Sequence, residues 1–189
     1  MLHLKSLPCS YLVAAILSVM VVGGQSTQPR LDVPYVPTTK EAVQAMLKLA
    51  DVKKTDVVYD LGCGDGRIVI TAAKDFGARG VGIDIDRVRI KEAKKNARKA
   101  GVESFVRFEA NDLFQADIHE ANVVALFLLP EVNLRLRPKL LRDLKPGSRI
   151  VSNTFDLGDW KADQEITVGE ESSLSHKLYL WIVPPRHGN

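Results

Sequence analysis

The chain has few of the residues that build disulfide frameworks or metal centres. Its 189 residues include two cysteines and four histidines. Cys9 lies in an N-terminal apolar segment, which leaves Cys63 alone in the rest of the chain, so neither a disulfide framework nor a thiolate metal site is expected. A net charge of +3 is too small to indicate a nucleic-acid-binding protein. The histidines lack the spacing of metal ligands: His3, His119, His176 and His187.

Residues 1–28 do not have the pattern of a folded domain. Lys5 precedes a nearly unbroken apolar run at residues 11–22, and two glycines suited to cleavage follow it. The run is short for a bilayer span of about 20 residues unless residues 7–24 are counted together. A cleaved signal peptide and a retained membrane anchor with a linker both stay open. Residues 29–189 are expected to form one globular domain.

Residues 56–84 have the pattern of a βαβ unit with a ligand loop attached. In order, they contain an apolar strand at 57–61, a turn with three glycines (Gly62, Gly64 and Gly66), a helix at 68–76, and a short strand at 80–83 that ends on Asp84. Glycine can adopt positive φ and lets the backbone approach a ligand that any side chain would push away. The turn is therefore the predicted ligand site.

The acids around this turn distinguish between two nucleoside ligands. A carboxylate about 20 residues after such a loop can accept hydrogen bonds from ribose hydroxyls, which is the position of Asp84. A dinucleotide would place its pyrophosphate on the helix N-terminus, but Asp60 and Asp65 would repel a phosphate. S-adenosylmethionine (SAM) carries cationic groups and no phosphate, so the acids favour a SAM site. A dinucleotide site, or a glycine turn of another α/β protein, is the alternative.

The sequence DLGCGDGR followed by GIDID resembles motif I and its partner acid in the class I SAM-dependent methyltransferases. The resemblance implies an α/β, Rossmann-like fold with a mostly parallel seven-stranded sheet of order 3-2-1-4-5-7-6, in which strand 7 is antiparallel and helices flank the sheet. It also implies that Asp112 accepts from the adenine amino group and that the Leu113 N–H donates to the ring. Alternatively, Asp112 caps a turn. The predicted cofactor residues are Thr38, Asp60, Gly62, Cys63, Gly64, Asp65, Gly66, Asp84, Ile85, Asn111, Asp112, Leu113 and Leu128.

Further motifs narrow the resemblance. PYVPT before motif I, LFLLPEV with LRPKL, and LKPGSRIVSNTF with the following Trp160 resemble the small membrane-associated lysine methyltransferases of the mitochondrial adenine nucleotide translocase and the ATP synthase c-subunit. The similarity covers residues 33–160 and implies N-methylation of a protein lysine with SAM as donor. Relatives with the same motifs can modify different proteins, so the substrate stays open, with a membrane protein as one candidate. A monomer is expected.

Four residues are candidates for the amine side: Tyr35, Glu131, Thr154 and Trp160. Many amine methyltransferases of the superfamily carry Asn-Pro-Pro-Tyr or Asp-Pro-Pro-Tyr after the fourth strand. This chain has Leu-Leu-Pro-Glu there, which argues against methylation of a nucleic-acid base. Glu131 either attracts or deprotonates a lysine ammonium, or favours the N-terminus of the next helix. Trp160 is either a wall for the lysine stem or an anchor at the edge of the core.

Two residues and one helix have more local interpretations. Thr38 is expected to cap a helix, with Glu41 reaching back in a capping box. Cys63 is either a small residue between loop glycines or a nucleophile. The basic helix at residues 87–100 is either a solvated outer helix or a surface for anionic lipid or an acidic partner.

The expected reaction is an in-line displacement in which an uncharged amine attacks the SAM methyl carbon, so lysine must first lose a proton from its ammonium, whose pKa is about 10.4. An exported enzyme would lack SAM, which favours a membrane anchor with the domain on the SAM-containing side. A methyltransferase for a small-molecule or lipid-like acceptor is one alternative, and a SAM-binding module without catalysis is another.

Overall fold

The computed structural model describes residues 37–169 and 175–186. Tyr35 and the N-terminal segment at residues 1–28 lie outside these residues. In chain order, the helices and strands are α1 (Lys40–Leu49), β1 (Val57–Leu61), α2 (Arg67–Phe76), β2 (Arg79–Asp84), α3 (Arg87–Ala100), β3 (Val106–Ala110), β4 (Val123–Leu126), α4 (Pro130–Asp143), β5 (Arg149–Asn153), β6 (Gln164–Val168) and β7 (His176–Ile182).

The seven strands form one sheet of order β3-β2-β1-β4-β5-β7-β6. Strands β1 to β5 pair in parallel, and β7 is antiparallel to both β5 and β6. The predicted order and the antiparallel seventh strand are therefore confirmed. Because parallel strands end at one edge, the loops after β1 to β5 lie along that edge, where open α/β sheets bind ligands. The antiparallel β7 begins at the same edge.

Helices cover both faces of the sheet because alternate strand residues point to opposite sides. Val58 belongs to a buried cluster with residues of α1, α2 and β7, whereas Tyr59 and Leu61 belong to a cluster with residues of α4. Helix α3 packs on the α2 side, where its buried alanines meet Phe108 of β3. No helix of the described ranges, 37–169 and 175–186, is long and apolar enough to cross a membrane.

The first helix begins one residue later than predicted. Thr39, not Thr38, is the N-cap of α1, and its Oγ1 accepts a hydrogen bond from the backbone N–H of Ala42 at 3.2 Å. The predicted capping box is therefore wrong, because Glu41 is the second residue of the helix instead of the third. Thr38 is buried, and its carbonyl accepts a hydrogen bond from the Arg67 guanidinium at 2.6 Å. This long-range contact fixes where the chain enters the helix.

The fourth strand is shorter than the apolar run predicted. Strand β4 ends at Leu126, whereas the run extends to Leu129. Leu129 is the N-cap of α4, and Pro130 occupies its first turn, as proline favours that position. Leu128 is buried outside the strand. Apolar character therefore marked burial here, but not the point where the chain leaves the sheet.

Two glycines provide a matched test of the close packing between α2, α3 and β3. Gly66 has φ +80°, and a Cβ at this position would lie 2.7 Å from the Phe108 ring and 2.9 Å from Ala93 Cβ. Gly101 has φ +72° with no atom near its Cβ position. Gly66→Ala should lower the free energy of unfolding by about 2–5 kcal/mol, because left-handed strain and overpacking add. Gly101→Ala should lower it by about 1–2 kcal/mol through strain alone.

Urea unfolding measures both values. Equal losses in the two variants would contradict the close packing of Phe108 and Ala93 against the turn.

Candidate active site

The glycine turn after β1 forms the centre of the site. Gly62, Gly64 and Gly66 all have positive φ, at 88°, 51° and 80°. The backbone N–H groups of Gly62 and Cys63 both donate to the carbonyl of Ile83 in β2, at 2.8 and 2.9 Å. A Cβ at Gly62 would lie 2.8 Å from Leu128 Cδ2. The turn therefore needs glycine both for its conformation and for the space it occupies.

The carboxylate of Asp84 holds this turn to the end of β2. Its Oδ2 accepts from the Gly64 N–H at 2.8 Å, and its Oδ1 accepts from the Asp86 N–H at 2.8 Å. Each carboxylate oxygen has a further lone pair, and the side chain is half-buried. The group can therefore order the turn and also accept from two hydroxyls. Its contact with a ribose stays a prediction, as does that of the neighbouring Ile85, which is 37% exposed.

The carboxylate of Asp65 is engaged by an arginine of the same turn. Arg67 donates from Nε at 2.9 Å and from Nη2 at 2.7 Å to the two Asp65 oxygens. The same guanidinium reaches Thr38, and the Asn96 side chain donates to the Asp65 carbonyl at 3.0 Å. The charge of Asp65 is thus balanced by Arg67, and the contact of Asp65 with a cofactor stays a prediction. Together, Asp65 and Arg67 join the turn to the start of α1 and to α3.

Asp60 is the acid with the most unusual environment. It is the fourth of the five residues of β1 and has 2% of its surface exposed. Within the described residues, no hydrogen bond or ion pair reaches its side chain. Burial, with the nearby charges of Asp84 and Asp65, raises the pKa of the Asp60 carboxyl to about 8. Near neutral pH this carboxyl mostly keeps its proton. A cationic group held beside it would offset the burial and favour the ionised form.

Cys63 does not have the properties of a nucleophile. Its side chain is buried, and its Sγ would lie 2.8 Å from a Cβ at Gly82. Burial raises the pKa of the Cys63 thiol, and the charges of Asp60 and Asp84 raise it further. A reactive cysteine needs a stabilised thiolate. Of the two alternatives for Cys63, the structure supports the small loop residue.

Asp112 caps the turn after β3 with one of its two carboxylate oxygens. Its Oδ1 accepts from the Phe114 N–H at 2.9 Å, so this oxygen caps the turn. Asn111 supports the turn by accepting from the Asp112 N–H at 2.8 Å. The second carboxylate oxygen has no hydrogen-bond partner within the described ranges and can accept from an amino group. Leu113 is half-buried beside it, so the adenine contacts of Asp112 and Leu113 stay predictions.

Three of the candidates for the amine side lie after β4 and β5, at the start of α4 and in the loop that follows β5. Glu131 is exposed in the first turn of α4, and Thr154 is exposed directly after β5 with φ +71°. Trp160 is half-buried; its carbonyl accepts from the Trp181 indole N–H at 2.7 Å, and the two rings are 6.2 Å apart. The structure thus supports Trp160 as an anchor at the edge of the core.

Three polar residues of this region were not predicted as site residues. Arg67 stands in the DGR of the first motif, and Asn153 stands in the SNTF of the later one, so both were within recognised motifs. His176 begins β7, far from any motif. Asn153 and His176 are in contact, with His176 Nδ1 3.0 Å from Asn153 Oδ1. Only the pairing of β5 with β7 brings these two side chains together.

The order of the strands determines which of these residues are neighbours at the edge of the sheet. The glycine turn, Asp84 and Asp112 follow β1, β2 and β3, which are neighbours in the sheet. This row can hold an extended nucleoside, with a carboxylate for the ribose and the buried Asp60 for a cationic end. With a nucleoside in this row, the part of the edge left for an acceptor is the one formed after β4 and β5. In the described part of the chain, no group of histidine, cysteine and acidic residues could hold a metal ion.

A seven-stranded sheet of this order, with a glycine turn after the first strand and acids after the second and third, defines a class I SAM-dependent methyltransferase. When bound, SAM supplies a methyl group on a cationic sulfonium. The glycine turn, Asp60, Asp84 and Asp112 are the residues that would hold it. The chain belongs to the family described as the ANTKMT methyltransferase domain, whose model matches residues 60–164.

Individual relatives agree with this assignment. A solved structure from Salinibacter ruber, described as an RNA methyltransferase in complex with S-adenosyl-L-homocysteine, is 54% identical, with a TM-score of 0.75 over 81% of this chain and 97% of that chain. A protein-lysine N-methyltransferase of Saccharolobus islandicus is 47% identical over 80% of this chain and 94% of that protein. The mouse adenine nucleotide translocase lysine N-methyltransferase is 35% identical over 79% of this chain and 65% of its own length.

The buried carboxyl of Asp60 should make the free energy of unfolding depend on pH, and Asp60→Asn should remove its contribution to this dependence. The folded pKa of about 8 lies above the ordinary value of 3.8, so the proton-bound form stabilises the fold at low pH. This contribution is lost as pH rises from about 4 to about 8, by at most about 1.4 kcal/mol per pH unit. The stability of Asp60→Asn relative to wild type should therefore increase over this interval.

Urea unfolding at pH 5, 6.5 and 8 tests this expectation. Asp51→Asn, at an exposed position, is the control and should show no such trend. A difference between Asp60→Asn and wild type that stays constant with pH would exclude a raised pKa at Asp60.

Removing the Asp84 carboxylate should weaken cofactor binding. Asp84→Ala deletes the acceptor for the Gly64 and Asp86 N–H groups and the predicted acceptor for ribose hydroxyls, so the Kd for SAM should rise at least tenfold, since charge-assisted hydrogen bonds contribute about 1.5–3 kcal/mol. Isothermal titration calorimetry with SAM gives the Kd. Glu103→Ala, an exposed change near the start of β3, should leave it unchanged. An unaltered Kd in Asp84→Ala would remove Asp84 from the site.

Proposed function

We propose that this enzyme transfers a methyl group from SAM to the side-chain amine of a lysine in a protein. The observation that carries the proposal is the 47% identity with the Saccharolobus islandicus protein-lysine N-methyltransferase, of which the chain covers 94%. The mouse relative, also described as a lysine N-methyltransferase, supports the same acceptor chemistry.

The chemistry places separate demands on the two sides of the site. The lysine nitrogen forms a bond to the methyl carbon while the carbon–sulfur bond breaks and its electron pair stays on sulfur, so positive charge moves to nitrogen. The protein's main contribution is alignment of the two reactants. Carboxylates or carbonyls near the nitrogen stabilise the developing ammonium. Glu131 fits this role because it is exposed beyond the C-terminal end of β4, where it can attract a lysine ammonium.

We further propose that the protein acts on a membrane protein, as a monomer held at the membrane through its N-terminal apolar segment. The names of the mouse relative and of a 31% identical Xenopus laevis lysine N-methyltransferase give a translocase and the ATP synthase c-subunit as the substrates of those proteins. The apolar run at residues 11–22 supplies a segment suited to a membrane anchor. The domain then lies on the side of the membrane that contains SAM.

RNA is the alternative acceptor, because the 54% identical Salinibacter ruber protein is described as an RNA methyltransferase. Two properties of this chain favour protein. Its net charge is only +3, whereas nucleic-acid binding requires many phosphate contacts from lysine and arginine. After β4, helix α4 begins with Pro130 and Glu131, and a carboxylate at this position repels a phosphate backbone.

One labelling experiment separates the two acceptors. The full-length protein is incubated with SAM that carries a radioactive methyl group, together with a membrane extract and total RNA from a strain that lacks the protein. We expect label in a membrane protein and, after acid hydrolysis, in methylated lysine. Asp84→Ala should remove at least nine-tenths of the label, and Glu103→Ala should retain it. Label confined to RNA would establish the alternative instead.

A further inference from the structure

Three side-chain atoms of the described residues are fully buried without a hydrogen-bond partner, and all belong to residues around the loop after β5. They are Asn133 Oδ1, Asn153 Nδ2 and His176 Nε2. Asn133 donates from its other amide atom to the carbonyls of Phe155 and Asp156, at 3.3 and 3.1 Å. Buried polar groups of native proteins are nearly always paired, so such atoms indicate a functional partner. Their concentration at one loop indicates that this loop contributes to a binding site.

The position of Asn153 and His176 agrees with this role. Asn153 is the last residue of β5, and His176 is the first residue of β7, which runs in the opposite direction. Both therefore lie at the sheet edge that carries the glycine turn. The residues predicted for the nucleoside follow β1, β2 and β3, at the other half of the sheet. Asn153 and His176 thus lie on the side from which an acceptor must approach.

The contacts of Asn153 define the hydrogen-bonding state of the histidine ring. The Asn153 side chain is 0% exposed, and its Oδ1 accepts from the Thr154 hydroxyl at 3.0 Å. The same oxygen lies 3.0 Å from His176 Nδ1. We assign the hydrogen to Nδ1, because an amide oxygen facing it can only accept. In this tautomer the lone pair is on Nε2, which is buried without a hydrogen-bond partner.

Thr154, which lies next to Asn153, has a strained backbone conformation. Its φ of +71° is in the left-handed region, which β-branched residues rarely adopt. The strained backbone is fixed by its N–H, which donates to the Lys177 carbonyl at 2.7 Å, and its hydroxyl contacts Asn153. Strained residues of this kind concentrate at functional sites. The strain and the unpaired atoms are two independent observations at one location.

We propose that His176 belongs to the acceptor site, where its Nε2 accepts a hydrogen bond from an N–H of the target lysine amine, and that Asn153 positions the imidazole ring. This inference rests on the proposed lysine methyltransferase function. An amine that attacks through its lone pair presents its N–H groups to acceptors. A ring nitrogen with a lone pair meets this requirement without a charge, and it supplies a contact that the Leu-Leu-Pro-Glu sequence after β4 lacks.

Two substitutions at His176 test the roles of its two ring nitrogens separately. In His176→Gln the side-chain amide reaches the position of Nε2, whereas in His176→Asn it reaches only the position of Nδ1. At saturating SAM, His176→Gln should keep at least a third of the wild-type rate of lysine labelling in the membrane extract. His176→Asn should lose at least tenfold. The Kd for SAM should stay within twofold in both, because the cofactor residues are on other strands.

Two controls exclude a purely structural effect. His119→Asn changes an exposed histidine and should label lysine like wild type. Asn153→Asp keeps the oxygen that faces Nδ1 and should be more active than Asn153→Leu, with the difference seen in the rate and not in the Kd for SAM. These comparisons use the full-length protein and the same extract.

The outcomes separate this proposal from the proposed function. If wild type labels no lysine, the lysine methyltransferase function fails and the role of His176 fails with it. If wild type labels lysine and His176→Asn is as active, only the role of His176 is overturned. Equal losses of activity in His176→Gln and His176→Asn, accompanied by equal losses of unfolding free energy, would also overturn it, since both nitrogens would then matter only for folding.

Discussion

The hydrogen bond from the Gly64 N–H to the Asp84 carboxylate is the contact on which the site depends. It joins the turn after β1 to the end of β2 at 2.8 Å, while the neighbouring N–H groups of Gly62 and Cys63 donate to the Ile83 carbonyl. The backbone can adopt this path because its glycines have positive φ. One carboxylate thereby orders the loop and presents its remaining lone pairs to a ligand.

The acids around the turn have three different electrostatic states, although the sequence shows three similar carboxylates. Asp65 is compensated by Arg67, and Asp84 accepts from backbone N–H groups. Asp60 has neither kind of partner and, being buried, has its pKa raised to about 8. A cationic cosubstrate is therefore favoured chiefly through Asp60 and Asp84, and not through a general excess of negative charge. This distinction follows from burial and pairing, which composition does not report.

The acceptor half of the sheet is built differently from the cofactor half. Glu131 lies in the first turn of α4, and Thr154 lies in the loop after β5, which α4 fixes through Asn133. Trp160 belongs to the aromatic packing with Trp181 and supports this loop from the core side. The polar cluster of Asn153 and His176 lies at the boundary between β5 and the antiparallel β7. In the proposed reaction, a protein acceptor would therefore meet a surface formed by several loops.

The sequence by itself determined the glycine turn and the acid that ends the second strand, because strand patterning and glycine spacing are local properties. The order of the strands and the position of Asp112 were predicted through the resemblance of these motifs to the class I methyltransferases. Tertiary structure decided the rest. Thr39 caps α1 because Thr38 is held by Arg67, 29 residues away, and β4 ends early because α4 begins at Pro130. The pairing of Asn153 with His176 and the raised pKa of Asp60 depend on contacts and burial that arise only when distant strands pack together. Such long-range contacts leave no pattern in neighbouring residues, which is the physical reason that the sequence alone did not reveal them.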